Sequence, residues 1–302
     1  MSATATTDVP AVARPLPGPG LAARLSGAGL VLPGVIWLVV FFVVPLALIF
    51  IVSLGARDEL DRVDLTSPSL ANYWRAFDAT YLPSFARSLR YAGITTVLCL
   101  VIGYPIAYWI SRCGGRHKTL LLILVMLPFW TSYLIRTYAW MLILRDNGVV
   151  NSLLGAVGLI DQPIILMNTD LSVILGMTYG FLPFAILPLF VSIDRLDQSL
   201  VAAARDLYAS GRDAFLHVTL PITMPGIIAA ALLTFIPAMG DFVTPDILGG
   251  ASTTTIARVI QDVFLESRDW AFGAALGFLL IVITLTGTVG ALRILRREVI
   301  GA

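Results

Sequence analysis

Lysine is almost missing from this chain, and cysteine and histidine are nearly as scarce. Lys118 is the single lysine in 302 residues, the cysteines are Cys99 and Cys113, and the histidines are His117 and His217. One cysteine in an apolar run and one in a short basic stretch give neither a disulfide framework nor a metal-ligand spacing. No Ser/His/Asp or His/Glu grouping falls within the apolar runs, which leaves an intramembrane enzyme without support. A phosphate-cradling loop needs Gly-Lys-Ser/Thr at the close of a Gly-rich turn. Lys118 instead follows His117 in Gly114-Gly-Arg-His-Lys-Thr119, so the chain has no ATP site of its own, and no cofactor is implied.

Charge is also scarce, at 13% of residues against 58% hydrophobic, where about 25% charged is usual for a soluble domain. The deficit comes in blocks. Apolar runs near 27–54, 88–110, 119–144, 171–193, 222–244 and 271–292 are each long enough to cross about 30 Å of hydrocarbon as a helix. The expectation is an all-α polytopic membrane protein of six spans, embedded among membrane lipids. The first run exceeds a signal-peptide core and reads as an uncleaved span. Residues 1–26, with Pro10, Pro15, Pro17 and Pro19, read as a disordered tail. The six-span body would then cover 27–292 and a second tail 293–302. A net charge of +1 offers no basic excess for nucleic acid.

Arginine placement sets an orientation. With the N-terminus inside, the inner side holds eleven bases and six acids, and the outer side eight bases and twelve acids. Three bases crowd into Ser111–Lys118. This favours an inner (plasma) membrane protein with both ends cytoplasmic. Pro33, Pro45, Pro105, Pro128, Pro183, Pro188, Pro225 and Pro237 fall inside the spans, where freed backbone groups need a neighbour or a water-lined cavity.

The inner segment 194–221 is the most informative. Leu196, Leu200, Ala203 and Leu207 recur at helical spacing, Ala209-Ser210-Gly211 breaks the pattern, and a second short helix through Phe215 and Val218 is expected to end before Pro221. Read blandly, this is an amphipathic loop at the membrane surface. Its residue order says more. Ala202-Ala-Ala-Arg-Asp-Leu-Tyr-Ala-Ser210, then Val218-Thr-Leu-Pro221, resembles the cytoplasmic signature of ABC-importer permeases, which reads Glu-Ala-Ala, three residues, Gly, nine residues, Ile-x-Leu-Pro. Ala202 stands where Glu is usual and Tyr208 where Gly is usual, and Gly211 is expected to supply the freedom for the turn.

The likeness extends to Leu127-Pro-Phe-Trp-Thr-Ser-Tyr-Leu-Ile-Arg-Thr-Tyr-Ala-Trp140, Thr223-Met-Pro-Gly226, Phe235-Ile-Pro-Ala-Met-Gly-Asp-Phe-Val-Thr-Pro-Asp-Ile-Leu-Gly-Gly250 and Arg268-Asp-Trp-Ala-Phe-Gly-Ala-Ala275. These look like spans three, five and six of spermidine/putrescine importer permeases. The resemblance implies a type I ABC-importer permease fold, an ATP-binding subunit dimer, a second permease subunit and an external polyamine-binding protein. It also implies docking of the knob on the ATPase through Ala203, Ala204, Asp206, Ser210 and Gly211. The same architecture serving another organic cation, a phosphonate or ferric iron is the near alternative. An ATP-independent transporter or channel is the distant one, since such proteins carry more buried acids than are seen here.

Arg136 and Asp241 are the two charges well inside spans, and intramembrane charges are functional candidates by default. Counted along straight helices, both lie about 26–29 Å from the inner end. That leaves two readings: they pair or reach outward to water, or Asp241 attracts or gates a cationic solute. Tyr138 and Trp140 read as an interfacial belt. Trp130 and Tyr133, placed deeper, offer ring faces to ammonium groups or serve as packing. Asn72–Phe77 reads as an interfacial helix.

Overall fold

The computed structural model describes residues 32–57 and 63–300; the expected tail 1–26 lies outside the described residues. Two units are distinguished, one ending at Ile49 and one beginning at Phe50. In the first, the described chain is helical from Leu32, within α1 (Leu32–Ser53), and has a π-turn at Val39–Val43.

The second unit carries the rest of the helices. After the two-residue antiparallel pair β1 (Ala56–Arg57) and β2 (Val63–Asp64) come α2 (Ala71–Ala76) and the long α3 (Leu82–Cys113). Next are α4 (Lys118–Met126), α5 (Tyr133–Leu144), α6 (Val149–Ala156) and α7 (Asp170–Asp194). The 194–221 region contributes α8 (Gln198–Asp206) and the first turns of α9 (Gly211–Met239). α10 (Val243–Leu248), α11 (Ile256–Leu265) and α12 (Trp270–Ile300) complete the order. The all-α architecture expected from the apolar blocks is the one observed.

Five helices are long and apolar enough to cross a membrane, or six if one bent pair counts as a span. The bent pair corrects the expectation of a straight third span over 119–144. The chain turns by 83° between Gly115–Trp130 and Tyr133–Ala156. Pro128 is the physical reason. It lacks an amide donor and its ring collides with the carbonyl four residues back, and Leu127–Trp130 tightens into a 3-10 turn. Thr131 is then extended, and its hydroxyl donates to the Pro128 carbonyl at 2.8 Å.

Span five is corrected at both ends. The expected stop before Pro221 does not occur, because a π-turn at Phe215–Thr219 leads directly into Leu220 and onward. In that wider turn the Leu220 amide reaches back to the Phe215 carbonyl, which relieves the clash that Pro221 would impose on a normal α turn. Pro45 follows the Val39–Val43 π-turn at the same spacing. At its other end, α9 stops at Met239 rather than 244.

The core lies where α3, α7 and α9 meet. Cys99 and Ala107 of α3 face Met177, Ala185, Ile186 and Leu189 of α7, and Ala230 and Met239 of α9 close the third side. Between spans the hydrophobic effect gives little, so close van der Waals contact between small residues does the packing. The α7–α9 crossing depends on Gly226: a Cβ there would run into the Ser192 side chain and come within 3.0 Å of the Pro188 carbonyl. A second cluster, with Phe85, Ile256, Val263, Phe272 and Leu276, seats α11 and α12 on the start of α3. There Arg75 binds Asp269 at 2.7 Å and lies 3.9 Å over the Phe272 ring.

Backbone at Gly226 has no room to retreat, so Gly226→Val should lower stability by about 1–3 kcal/mol, the usual range for overpacking. Thermal unfolding of the detergent-solubilised protein measures this, and a midpoint equal to wild type would refute the tight crossing.

Candidate functional site

The knob formed by 194–221 is built from caps. The Asp197 carboxylate accepts the Ser199 amide at 2.9 Å and starts α8. Those Ser199 hydrogen bonds hold its carboxyl below the ordinary aspartate value. Ser210 starts α9, its hydroxyl oxygen accepting the Asp213 amide at 3.2 Å, a cap worth about 1 kcal/mol. Between them the chain reverses at Tyr208, whose φ is +63°. The Ala209 amide reaches back to the Ala204 carbonyl at 3.1 Å, closing α8 in the manner of a left-handed C-terminal cap.

Gly211 is thus not the residue that frees the turn, contrary to expectation. It is the first residue of α9, and Tyr208 takes the left-handed conformation at the position where the family signature has Gly. A side chain there costs about 1–2 kcal/mol. Leu207 and Tyr208 are 82% and 99% exposed, and Leu200 is exposed too. The periodic apolar face read from sequence is therefore buried only at Leu196. Ala203, Asp206, Ser210 and Gly211 are exposed on the same knob, and Ala204 is half-buried.

Residues that the sequence did not single out fasten the knob to α3. Asp194, its first residue, accepts from Lys118 of α4 and from the Ser111 hydroxyl of α3 at 3.0 Å. Phe215 of the π-turn meets Tyr104 and Tyr108 edge-on, with centroids 5.7 and 6.5 Å apart. The Tyr104 hydroxyl is 3.0 Å from that of Thr223. An aromatic residue every four positions along α3 was the available signal.

Asp241, Trp130, Tyr133 and Arg136, the four candidates within the spans, line one cavity of about 470 Å³ between α4–α5, α7 and the end of α9. Sequence counting placed Arg136 and Asp241 at one level with Trp130 and Tyr133 deeper, and the structure gathers all four, but Arg136 and Asp241 form no ion pair. Asp241 sits in the break after α9 and caps α10: its Oδ1 accepts the amides of Val243 and Thr244 at 3.0 and 3.2 Å. Its Oδ2 accepts the hydroxyls of Thr244 at 2.6 Å and Tyr133 at 2.8 Å. The span assignment, which carried the helix on to 244, concealed this break and the turn that Asp241 holds.

Arg136 lies instead over rings, with its guanidinium carbon 4.7 Å from the Phe129 centroid and 5.6 Å from that of Tyr133. Gly180 of α7 makes room for Tyr133, since a Cβ there would come within 2.9 Å of the ring. Trp130 is 79% exposed at the edge of the cavity. Trp140 is no simple belt residue: it packs edge-on against Tyr179, which also lies against Phe129.

Comparison with known proteins fits this geometry. No family model matches the chain. Over 247 residues it is 42% identical to the spermidine/putrescine transport system permease protein PotB of Haemophilus influenzae, covering 82% of this chain and 86% of that one. PotB of Escherichia coli K12 is equally similar, with 90% of its length covered. The E. coli inner membrane ABC transporter permease protein YdcU is 34% identical over 60% of this chain and 62% of its own. The chain belongs to the PotB family of ABC-importer permeases. Members of this family are permease subunits, and the non-catalytic character read from the missing ATP loop agrees with that. A crystal structure of a bacterial ABC transporter that imports the acidic polysaccharide alginate superposes with a TM-score of 0.73, over 92% of this chain and 97% of that one. At 17% identity it shows a shared fold.

The left-handed Tyr208 and the Ser210 cap give opposite expectations. Tyr208→Gly should slow amide hydrogen exchange at residues 205–210 by roughly two- to fivefold, since Gly accepts φ above zero without strain. Ser210→Ala should speed it by about fivefold. Equal rates in all three proteins would remove the cap-and-turn description.

Proposed function

We propose that this chain forms half of the translocation path of an ABC importer for polyamines, spermidine and putrescine. The observation that carries this reading is the 42% identity to PotB over 82% of the chain. The solute-facing element is the cavity with Asp241, Trp130, Tyr133 and Arg136. A carboxylate beside aromatic faces is the chemistry that receives ammonium groups.

In this reading the body 27–292 sits in the inner membrane with residues 1–26 and 293–302 in the cytosol. The knob 194–221 is then cytosolic, as the arginine bias supports. Ala203, Ala204, Asp206, Ser210 and Gly211 dock on an ATP-binding subunit dimer, for which the exposed Leu207 and Tyr208 offer apolar contact. A second permease subunit completes the path, and an external polyamine-binding protein delivers the solute to the opposite mouth. A solved relative of the fold is a bacterial alginate ABC transporter in complex with an alginate pentasaccharide-bound periplasmic protein, which supports the same delivery route here.

Proteoliposomes holding this chain, its ATPase and the second permease should take up radiolabelled spermidine when ATP and the binding protein are supplied. They should take up none when the ATPase is omitted. Uptake by this chain alone, or no uptake of any polyamine by the full complex, would refute the proposal.

Asp241→Asn removes the charge and keeps an oxygen for the Val243 and Thr244 amides, while its NH2 group obliges the Thr244 and Tyr133 hydroxyls to turn from donors to acceptors. Uptake should fall roughly five- to tenfold with the complex still assembled, as expected for losing about 1 kcal/mol of attraction in a partly screened site. An unchanged rate would take the Asp241 charge out of the path.

A further inference from the structure

Tyr133 holds apart the two charges of the cavity. Its hydroxyl donates to Asp241 at 2.8 Å, while its ring lies 5.6 Å from the Arg136 guanidinium. Both oxygens of Asp241 are filled by neutral donors, two amides and two hydroxyls. The acceptors of Asp241 are thus filled without a contacting cation. Arg136 is the less satisfied partner. Its Nε and Nη1 are buried and meet no acceptor among the described residues, so the guanidinium is held there by the rings of Phe129 and Tyr133. Burying a charged group without acceptors costs free energy, and a cation–π seat is one that another cation can take.

We propose that Arg136 is a tethered cation that fills the solute seat of the empty permease and is displaced by an ammonium group of the permeating molecule. This deepens the permease reading above and rests on it. Exchange of one cation for another leaves the charge beside Asp241 unchanged, so the swap is electrostatically balanced. Loss of the guanidinium without replacement would leave the faces of Phe129 and Tyr133 without the cation they seat. The seat is therefore occupied by a cation at every stage, first the chain's own and then the solute's. Arg136 lies in the first turn of α5, directly after the break at Thr131–Ser132. Its long flexible side chain can swing toward the exposed Trp130 rim.

The test uses the complete importer in proteoliposomes preloaded with tetramethylammonium, followed by efflux without ATP. Wild type and Arg136→Lys should both be tight. Arg136→Gln should leak roughly three- to thirtyfold faster, the span of cation–π strengths expressed as rates. Phe129→Leu, which removes a seat while keeping the charge, should leak in the same direction. Efflux from assembled Arg136→Gln equal to wild type would overturn the proposal. So would loss of its ATP-driven spermidine uptake with no gain in efflux, which would show that Arg136 binds an acceptor on the solute or on the second permease. Should Arg136→Gln not assemble, Phe129→Leu decides alone: faster efflux supports the tethered cation, and unchanged efflux overturns it. Failure of wild type to take up spermidine would refute the polyamine assignment only, because tetramethylammonium efflux reads the Arg136 seat whatever the natural solute is.

Discussion

Inside hydrocarbon a peptide group that loses its helical partner has no water to turn to, and an unsatisfied one costs several kcal/mol. This chain interrupts its helices and answers the constraint locally each time. Where α9 stops, the Asp241 carboxylate collects the first amides of α10. At the bend in the third span, Thr131 covers the Pro128 carbonyl. Ahead of Pro45 and Pro221 the turn widens, so that a five-residue hydrogen bond replaces the one proline cannot make. The cavity that gathers Trp130, Tyr133, Arg136 and Asp241 lies between two of these breaks. Its shape follows from backbone satisfaction before any solute is considered.

α3 links the two ends of the second unit. At its C-terminal end it holds the knob through Ser111, Tyr104 and Tyr108. At its N-terminal end Arg87 donates to the Thr254 carbonyl at 2.6 Å, Ser88 accepts the Ile256 amide at 2.9 Å, and Arg90 and Tyr91 both bind Asp170. The helix is thus fastened at both ends and packed along its length on α7 and α9.

The spans were legible because apolar runs of this length have one stable solution in a bilayer. Family membership was legible in the knob, where residue order from Ala202 to Pro221 is specific. Partnership within the cavity was not legible. Counting residues brought Arg136 and Asp241 to one level, but their separation depends on Tyr133, and Tyr133 depends on the bare Gly180 of a helix far away in sequence. The cap role of Asp241 was hidden for a different reason: Asp241-Phe-Val-Thr244 follows an apolar run so closely that composition merges the two. At the knob, alignment to the family signature pointed to the correct turn position. The inference that a nearby glycine must take the strain failed, because Tyr208 adopts it directly.

One consequence of the uninterrupted α9 concerns leverage. From Gly211 to Met239 it measures about 43 Å at helical rise, and its tightest crossing, Gly226 on Ser192 and Pro188, falls near the middle. That crossing divides α9 into arms of nearly equal length, with the knob at one end and Asp241 just beyond the other, so a tilt of one arm and a tilt of the other would have equal reach.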